Sequence, residues 1–373
     1  IDCRMYSSHF TGIGRYVFEL VENLQQIDRE NEYFLFFNQP EFNNFQPGAP
    51  NFHKVLVNVK HYSLAEQTSF KKTLDLYRLD LMHFTHFNAP IFYRRPSIVT
   101  IHDLTLHFFP GKIMNSPLHR LAYALTVRSA VKKAVQVIAV SRSTARDLDE
   151  VLRVPLAKIK IIYEGVNPDF RPLANHQVIA NTLEKYGIRK PFLLYTGVWR
   201  NHKNLEGLLR AFALLDRHED LQLVITGRKD SVYAEGIFDL ARELGLMSDF
   251  PPADLPPRVV FPGLVGEDEL IHLLNAAHLY VFPSLYEGFG LPPLEAMQCG
   301  TPVVASNSSS IPEICNDSAL YFDPRSPEDM AATIEKLLAD EALYQKLVAS
   351  GLEHVKKFSW QKMARETHQL YMD

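Results

Sequence analysis

Short apolar runs alternate with amphipathic stretches of helical length along this chain, and the alternation occurs in two series. In the first series the spacing predicts strands at Tyr33–Phe37, Val55–Val59, Leu81–Phe84, Ser97–Ile101, Val135–Val140 and Ile159–Tyr163, with helices at Tyr16–Gln26, Leu64–Tyr77, Leu118–Ala134 and Thr144–Leu152. The segment Asn167–Lys190, with Pro168, Pro172 and the adjoining Pro191, breaks the rhythm and reads as a linker. The second series predicts strands at Phe192–Thr196, Leu221–Thr226, Val259–Phe261, Leu279–Phe282, Pro302–Ala305 and Ala319–Phe322. Helices fall between them at Leu205–His218, Tyr233–Leu244, Asp268–Asn275, Pro293–Gln298, Glu328–Ala339 and Glu341–His354, and a last helix, Trp360–Met372, starts after the N-cap residue Ser359. Strand–helix alternation of this kind predicts an α/β protein of two Rossmann-like doubly wound domains, residues 1–170 and 171–356, facing a central cleft.

Bulk properties exclude several classes. No apolar run approaches the ~20 residues that span a bilayer, and Ile1-Asp2-Cys3-Arg4 shows no secretory signal. That start carries no Met and only part of a first strand, so a few leading residues are expected to precede it. Three widely spaced cysteines, Cys3, Cys299 and Cys315, without a CxxC pair, fit a reducing, cytoplasmic setting and argue against a disulfide framework or a zinc site. Residues 1–172 hold 21 Lys and Arg against 16 Asp and Glu, and the remainder holds 18 against 27. This asymmetry suits two domains with different partners and is too weak for a nucleic-acid binder. Lys112, Arg120, Arg128, Lys132 and Lys133 lie among Leu, Ala and Tyr; a solvated helix face is the default reading, and peripheral contact of the basic N-terminal domain with the inner membrane is the alternative.

Ligands of doubly wound sheets bind beyond the strand C-termini, so the residues placed there matter most. The densest group is Glu287-Gly288-Phe289-Gly290-Leu291-Pro292-Pro293-Leu294-Glu295. Gly288 and Gly290 permit close backbone approach, the amides of Phe289, Gly290 and Leu291 can face a phosphate at a helix start, and the two carboxylates can accept from vicinal hydroxyls. A solvated Glu and a helix-dipole Glu would be the bland account of either carboxylate alone. Lys203 stands ahead of a helix start, where the dipole disfavours a cation unless an anionic ligand is present. Gly197 and Arg200 belong to the same loop. His102-Asp103 ends an apolar strand, and Thr11-Gly12-Ile13-Gly14 is a short Gly-rich loop that departs from the dinucleotide fingerprint GxGxxG. Leu264 and Val265 could receive a base edge, Ser141 is a helix cap or a ligand, and His86 and Asn88 are acceptor candidates. No Asp-x-Asp pair stands just after a predicted strand to hold a metal at a diphosphate; Asp147-Leu148-Asp149 falls inside the predicted helix Thr144–Leu152.

Together these motifs, with Glu164-Gly165-Val166-Asn167, resemble the retaining GT-B glycosyltransferases of family 4 over essentially the whole chain. The resemblance implies that the final helix, in residues 357–373, crosses back to pack on the first domain. It also implies roles: Lys203 on the donor diphosphate, Glu287 on the transferred sugar, Glu295 on the ribose, His102 near the anomeric centre, and Gly12 and Gly14 approaching the phosphates. Where many members carry Arg after the glycine at 197, Val198 stands here, and Arg200 is the nearby cation. The nearest likeness is to bacterial mannosyltransferases of polysaccharide and O-antigen assembly. It implies metal-independent hexosyl transfer, with no tightly bound cofactor, from GDP-mannose as first choice to a glycan or polyprenyl-linked glycan. A UDP- or dTDP-sugar donor, a sugar-nucleotide epimerase and a non-catalytic nucleotide-sugar binder are the alternatives.

Overall fold

The computed structural model describes residues 1–7, 12–111, 114, 116–215, 220–229, 231–247 and 257–373. Thr11, Lys112 and His218, named above, lie outside them. The chain forms two compact units, one of residues 1–165 with 358–373 and one of residues 166–357.

The first unit is built on parallel strands β1 (Tyr33–Phe37), β2 (Phe52–Leu56), β3 (Met82–Phe84), β4 (Ser97–Ile101), β5 (Gln136–Ala139) and β6 (Ile159–Ile161). Extended residues 1–3 join β1 to β3: the Cys3 N–H donates to Phe36 O at 3.0 Å and the Asp2 N–H to His83 O at 2.9 Å. The resulting order is β2-β1-(1–3)-β3-β4-β5-β6. The helices are α1 (Gly12–Ile27), α2 (Glu41–Asn44), α3 (Lys71–Tyr77), α4 (Thr105–Phe108), α5 (Pro117–Lys133) and α6 (Arg142–Leu152). In α1, Val17, Leu20, Val21 and Leu24 recur at helical spacing and are fully buried, which is why this segment coils against the sheet.

The second unit has β7 (Phe192–Thr196), β8 (Gln222–Thr226), β9 (Val259–Gly263), β10 (Leu279–Phe282), β11 (Val303–Ser306) and β12 (Ala319–Phe322), ordered β12-β11-β10-β7-β8-β9. Counted from β7, this is the doubly wound order 3-2-1-4-5-6, which reverses direction between β7 and β10. Strands β7, β8, β10 and β11 are buried along their full length, as expected of parallel strands covered on both faces. The covering helices are α7 (His176–Tyr186), α8 (Leu205–Ala213), α9 (Ser231–Glu243), α10 (Glu267–Ala276), α11 (Leu291–Gln298), α12 (Ile311–Cys315), α13 (Pro327–Ala339) and α14 (Glu341–His354). The last helix, α15 (Trp360–Met372), returns to the first unit and buries Met363, Ala364, Thr367 and Leu370. At its start the chain leaves no room beside Gly165, where a Cβ would lie 2.1 Å from Trp360 N.

Four expectations need correction. The linker reading of Asn167–Lys190 overlooks α7, which Asn175 caps by accepting from the Gln177 N–H and which Gly187 ends in a left-handed conformation; Pro172 and Pro191 lie outside it. The second strand begins at Phe52, because its register with β1 pairs Tyr33 with Phe52 and Phe37 with Leu56; Val57 and Val59 lie past it. The stretch Leu64–Tyr77 is not one uniform helix: Glu66–Phe70 forms a π-helical turn ahead of α3. Gly12 and Gly14 stand in the first turn of α1 rather than in a loop.

Candidate active site

Two loops leave the C-terminal ends of β7 and β10, the neighbouring strands at which the second sheet reverses. The β7 loop turns at Gly197, φ +153°, and leads through Arg200 into the 3-10 turn Asn201–Lys203. Asn204 then adopts φ +57°, and its Nδ2 donates to Pro283 O at 3.1 Å and Pro324 O at 2.7 Å, fastening this loop to the segments that follow β10 and β12. The Leu285 N–H donates to His202 O at 2.7 Å, which joins the two loops directly.

The β10 loop is held from behind by three consecutive serines. Ser308 Oγ donates to Leu285 O, Ser309 Oγ accepts the Glu287 N–H at 2.8 Å, and Ser310 Oγ reaches Glu287 O and Phe289 O. Gly290, φ +117°, then caps α11, which carries Glu295 half-buried. This backbone framework brings Lys203 and Glu287 together: Nζ lies 2.6 Å from Oε1 and 2.8 Å from Oε2, with the side chains 17% and 13% exposed. A cation and a carboxylate 84 residues apart thus meet at the switch point of the sheet.

The other expected donor residues are less gathered. Arg200 is exposed, Leu264 is exposed beyond β9, and Val265 is half-buried. The sequence reading missed the Ser308–Ser310 run and Gly227, and it placed Asn204 in the Lys203 loop without a role; all of them set the loops. Thr226-Gly227 ends an apolar run as Thr196-Gly197 does, and that repeated pattern was the available signal.

In the first unit, His102 directly follows β4 and is buried. Its Nε2 lies 3.0 Å from Thr85 O and its Nδ1 3.1 Å from Glu164 Oε1, so both ring nitrogens face acceptors of the chain itself. The Tyr16 ring meets the imidazole edge to face at 4.7 Å, and its hydroxyl contacts Thr100 Oγ1. Thr100 is shared with His83, which in turn contacts the Tyr371 hydroxyl on α15. Asp103 does not face His102's nitrogens; its Oδ1 accepts from the Thr105 N–H at 2.7 Å. Ser141 is a helix cap, accepting from the Thr144 N–H. His86 Nδ1 pairs with Asn88 Oδ1, and Asn88 Nδ2 is buried with no partner among the described residues. Burial and then the nearby His102 push the His86 imidazole down to about 3, so it is neutral at ordinary pH. No group of three or more His, Cys, Asp or Glu is gathered to hold a metal ion among the described residues.

Residues 179–354 match the family described as Glycosyl transferases group 1, and residues 10–170 match Glycosyltransferase Family 4. The chain belongs to this family of glycosyltransferases. It is 31% identical over 271 residues to the serotype-specific mannosyltransferase WbdA of Escherichia coli, an alignment that covers 72% of this chain and 32% of WbdA. It therefore spans about a third of the length of the first curated relatives it matches. The O-antigen chain mannosyltransferase B of Escherichia coli is 28% identical, with 97% of this chain and 96% of that protein aligned. Among solved structures, HepE from Anabaena in complex with UDP-glucose superposes with a TM-score of 0.76 at 17% identity over 98% of this chain and 97% of that one. That likeness shows the fold, which is GT-B.

Proposed function

We propose that this glycosyltransferase is a metal-independent, retaining mannosyltransferase that moves mannose from GDP-mannose to a glycan or polyprenyl-linked glycan at the cytoplasmic face of a membrane. The observation that carries the reading is the Lys203–Glu287 pair at the switch point of a doubly wound sheet. A nucleoside diphosphate is an anion that calls for Lys203, and a hexose is a set of hydroxyls that calls for carboxylates such as Glu287 and Glu295. The mannosyl choice is supported by the similarity to the two Escherichia coli mannosyltransferases.

In the proposed reaction the bond from the anomeric carbon to the diphosphate breaks as the acceptor oxygen bonds on the same face. The acceptor proton passes to the departing phosphate oxygen. Lys203, with Arg200 and the backbone amides of Phe289, Gly290 and Leu291, stabilises the charge that grows on the leaving group. Gly12 and Gly14, in the first turn of α1, are proposed to approach that diphosphate, where a helix N-terminus favours an anion. Leu264 and Val265 are proposed to receive the nucleobase. His102 and Asp103 are proposed to serve the transferred sugar, and His86 and Asn88 the acceptor. Calorimetry with GDP, UDP and dTDP and their sugar conjugates, with and without EDTA, tests the donor. Selective binding of GDP and GDP-mannose that EDTA leaves unchanged is expected; preference for UDP or dTDP overturns the donor, and loss of binding in EDTA overturns metal independence.

No described helix is long and apolar enough to cross a membrane. We propose peripheral contact through α5. Residues 104–146 contain no Asp or Glu, while Arg120, Arg128, Lys132 and Lys133 lie along α5 with Leu118, Leu121 and Leu125 exposed. Exposed leucines beside an acid-free basic stretch fit an anionic bilayer surface. Vesicles of phosphatidylglycerol are expected to carry the protein in flotation at low salt and to release it at high salt. Equal flotation with phosphatidylcholine, or none with either, refutes the contact.

A further inference from the structure

The framework around Lys203 and Glu287 is made of one backbone–backbone bond and of bonds from uncharged side chains to the backbone. Leu285 binds His202 O, Ser309 binds the Glu287 amide, Ser310 binds the Glu287 carbonyl, and Asn204 ties down the segments that follow β10 and β12. Neither charged side chain is needed to hold the loops. The Lys203–Glu287 contact therefore has another consequence: Glu287 engages two of the three N–H groups of the ammonium, and Lys203 engages both carboxylate oxygens. A carboxylate that takes both oxygens to one ammonium is a charge-assisted pair of the strong kind, and it is mostly shielded from water.

We infer that this ion pair competes with the nucleoside diphosphate and makes the site favour the complete sugar donor over the free diphosphate. The inference rests on the reading of Lys203 as the diphosphate ligand. A diphosphate competes with Glu287 for the Lys203 ammonium, and to the extent that it wins, a half-buried carboxylate is left without its cation. Such an uncompensated charge is costly. The free diphosphate offers nothing in return. A complete donor brings sugar hydroxyls, which donate to Glu287 and replace the lost ammonium. The pair thus penalises the product nucleotide and spares the substrate, easing product release.

Calorimetry on purified wild type, Glu287→Gln and Lys203→Ala tests this, with GDP and GDP-mannose as probes, or UDP and its sugar conjugate if the donor screen selects them. Glu287→Gln keeps the side-chain shape and every hydrogen bond to the loop backbone, so the variant is expected to fold, with a thermal midpoint somewhat lowered by the unpaired Lys203. This variant, inactive in transfer, is expected to bind GDP about tenfold more tightly than wild type, the scale of one charged hydrogen bond released. The ratio of GDP to GDP-mannose dissociation constants is expected to fall in the same variant. Glu287→Asp, which keeps the charge but withdraws it, should lie between. Unchanged or weaker GDP binding in Glu287→Gln, alongside a clear loss in Lys203→Ala, overturns the competition and leaves the diphosphate role intact. Undiminished GDP binding in Lys203→Ala overturns the role itself.

Discussion

Lys203→Ala is expected to lower turnover about 10²-fold or more, the scale for removing one preorganised donor aimed at developing charge. The loss should fall on turnover more than on folding. Lys203 is a side chain of a 3-10 turn whose position is set by the Leu285 to His202 backbone bond and by Asn204, and both remain in the variant. The substitution also strips Glu287 of its cation while leaving the carboxylate half-buried, so the sugar subsite changes charge balance together with the phosphate subsite. Steady-state kinetics with the preferred donor, alongside a thermal melt, separates the two effects. Turnover near that of the wild type would remove Lys203 from the mechanism. A collapse of the melting temperature would instead show that the ion pair, and not the serine, asparagine and backbone bonds, holds the loops.

Gly227→Ala is expected to be the most damaging small substitution in the second unit. Gly227 follows β8 with φ +128°, a conformation open in practice to glycine alone. A Cβ there would lie 1.9 Å from Gly197 O and 2.7 Å from Gly197 C, backbone atoms that cannot swing aside. The same junction carries three inter-loop bonds, from the Gly197 N–H to Thr226 O, from the Gly227 N–H to Gly263 O and from the Trp199 N–H to Arg228 O. Strain and displacement together should cost at least about 3 kcal/mol, which for a domain of this size lowers the melting temperature by roughly 6–12 °C. Nucleotide binding should weaken as well, because the displaced segment is the start of the Lys203 loop. A calorimetric scan with a shift under about 2 °C would refute the close approach.

What the sequence revealed follows the physics of each signal. Buried parallel strands such as β7 and β10 are continuous apolar runs, so their limits could be read directly. Strand β2 carries His53 and Lys54 between Phe52 and Val55, and only its pairing with β1 fixes where it starts. Helix α7 buries only Ile179 and Thr182, so it has little apolar stripe, and flanking prolines made a loop the simpler reading. At the site, Lys203 and Glu287 were legible because a cation before a helix and a Gly-flanked carboxylate are unusual at strand ends. Their mutual contact was not legible, since it depends on the β7–β10 crossover across 84 residues. His102 was visible as a polar residue after an apolar strand, but its grip by Thr85 and Glu164 needs the segments after β3, β4 and β6 at one end of the sheet.

The division of the chain has a consequence for how the protein is made. The first unit is discontinuous: residues 358–373 belong to it, yet residues 166–357 intervene. A ribosome delivers the whole second unit before it delivers the segment that covers α1 and supplies Tyr371 to His83. During synthesis the second unit can close around its own core, while the first waits with the α15-facing side of α1 bare. The nascent chain should therefore carry exposed apolar surface on α1 until α15 emerges. A stop codon before residue 358 would leave the later-made unit whole and the earlier-made one unfinished.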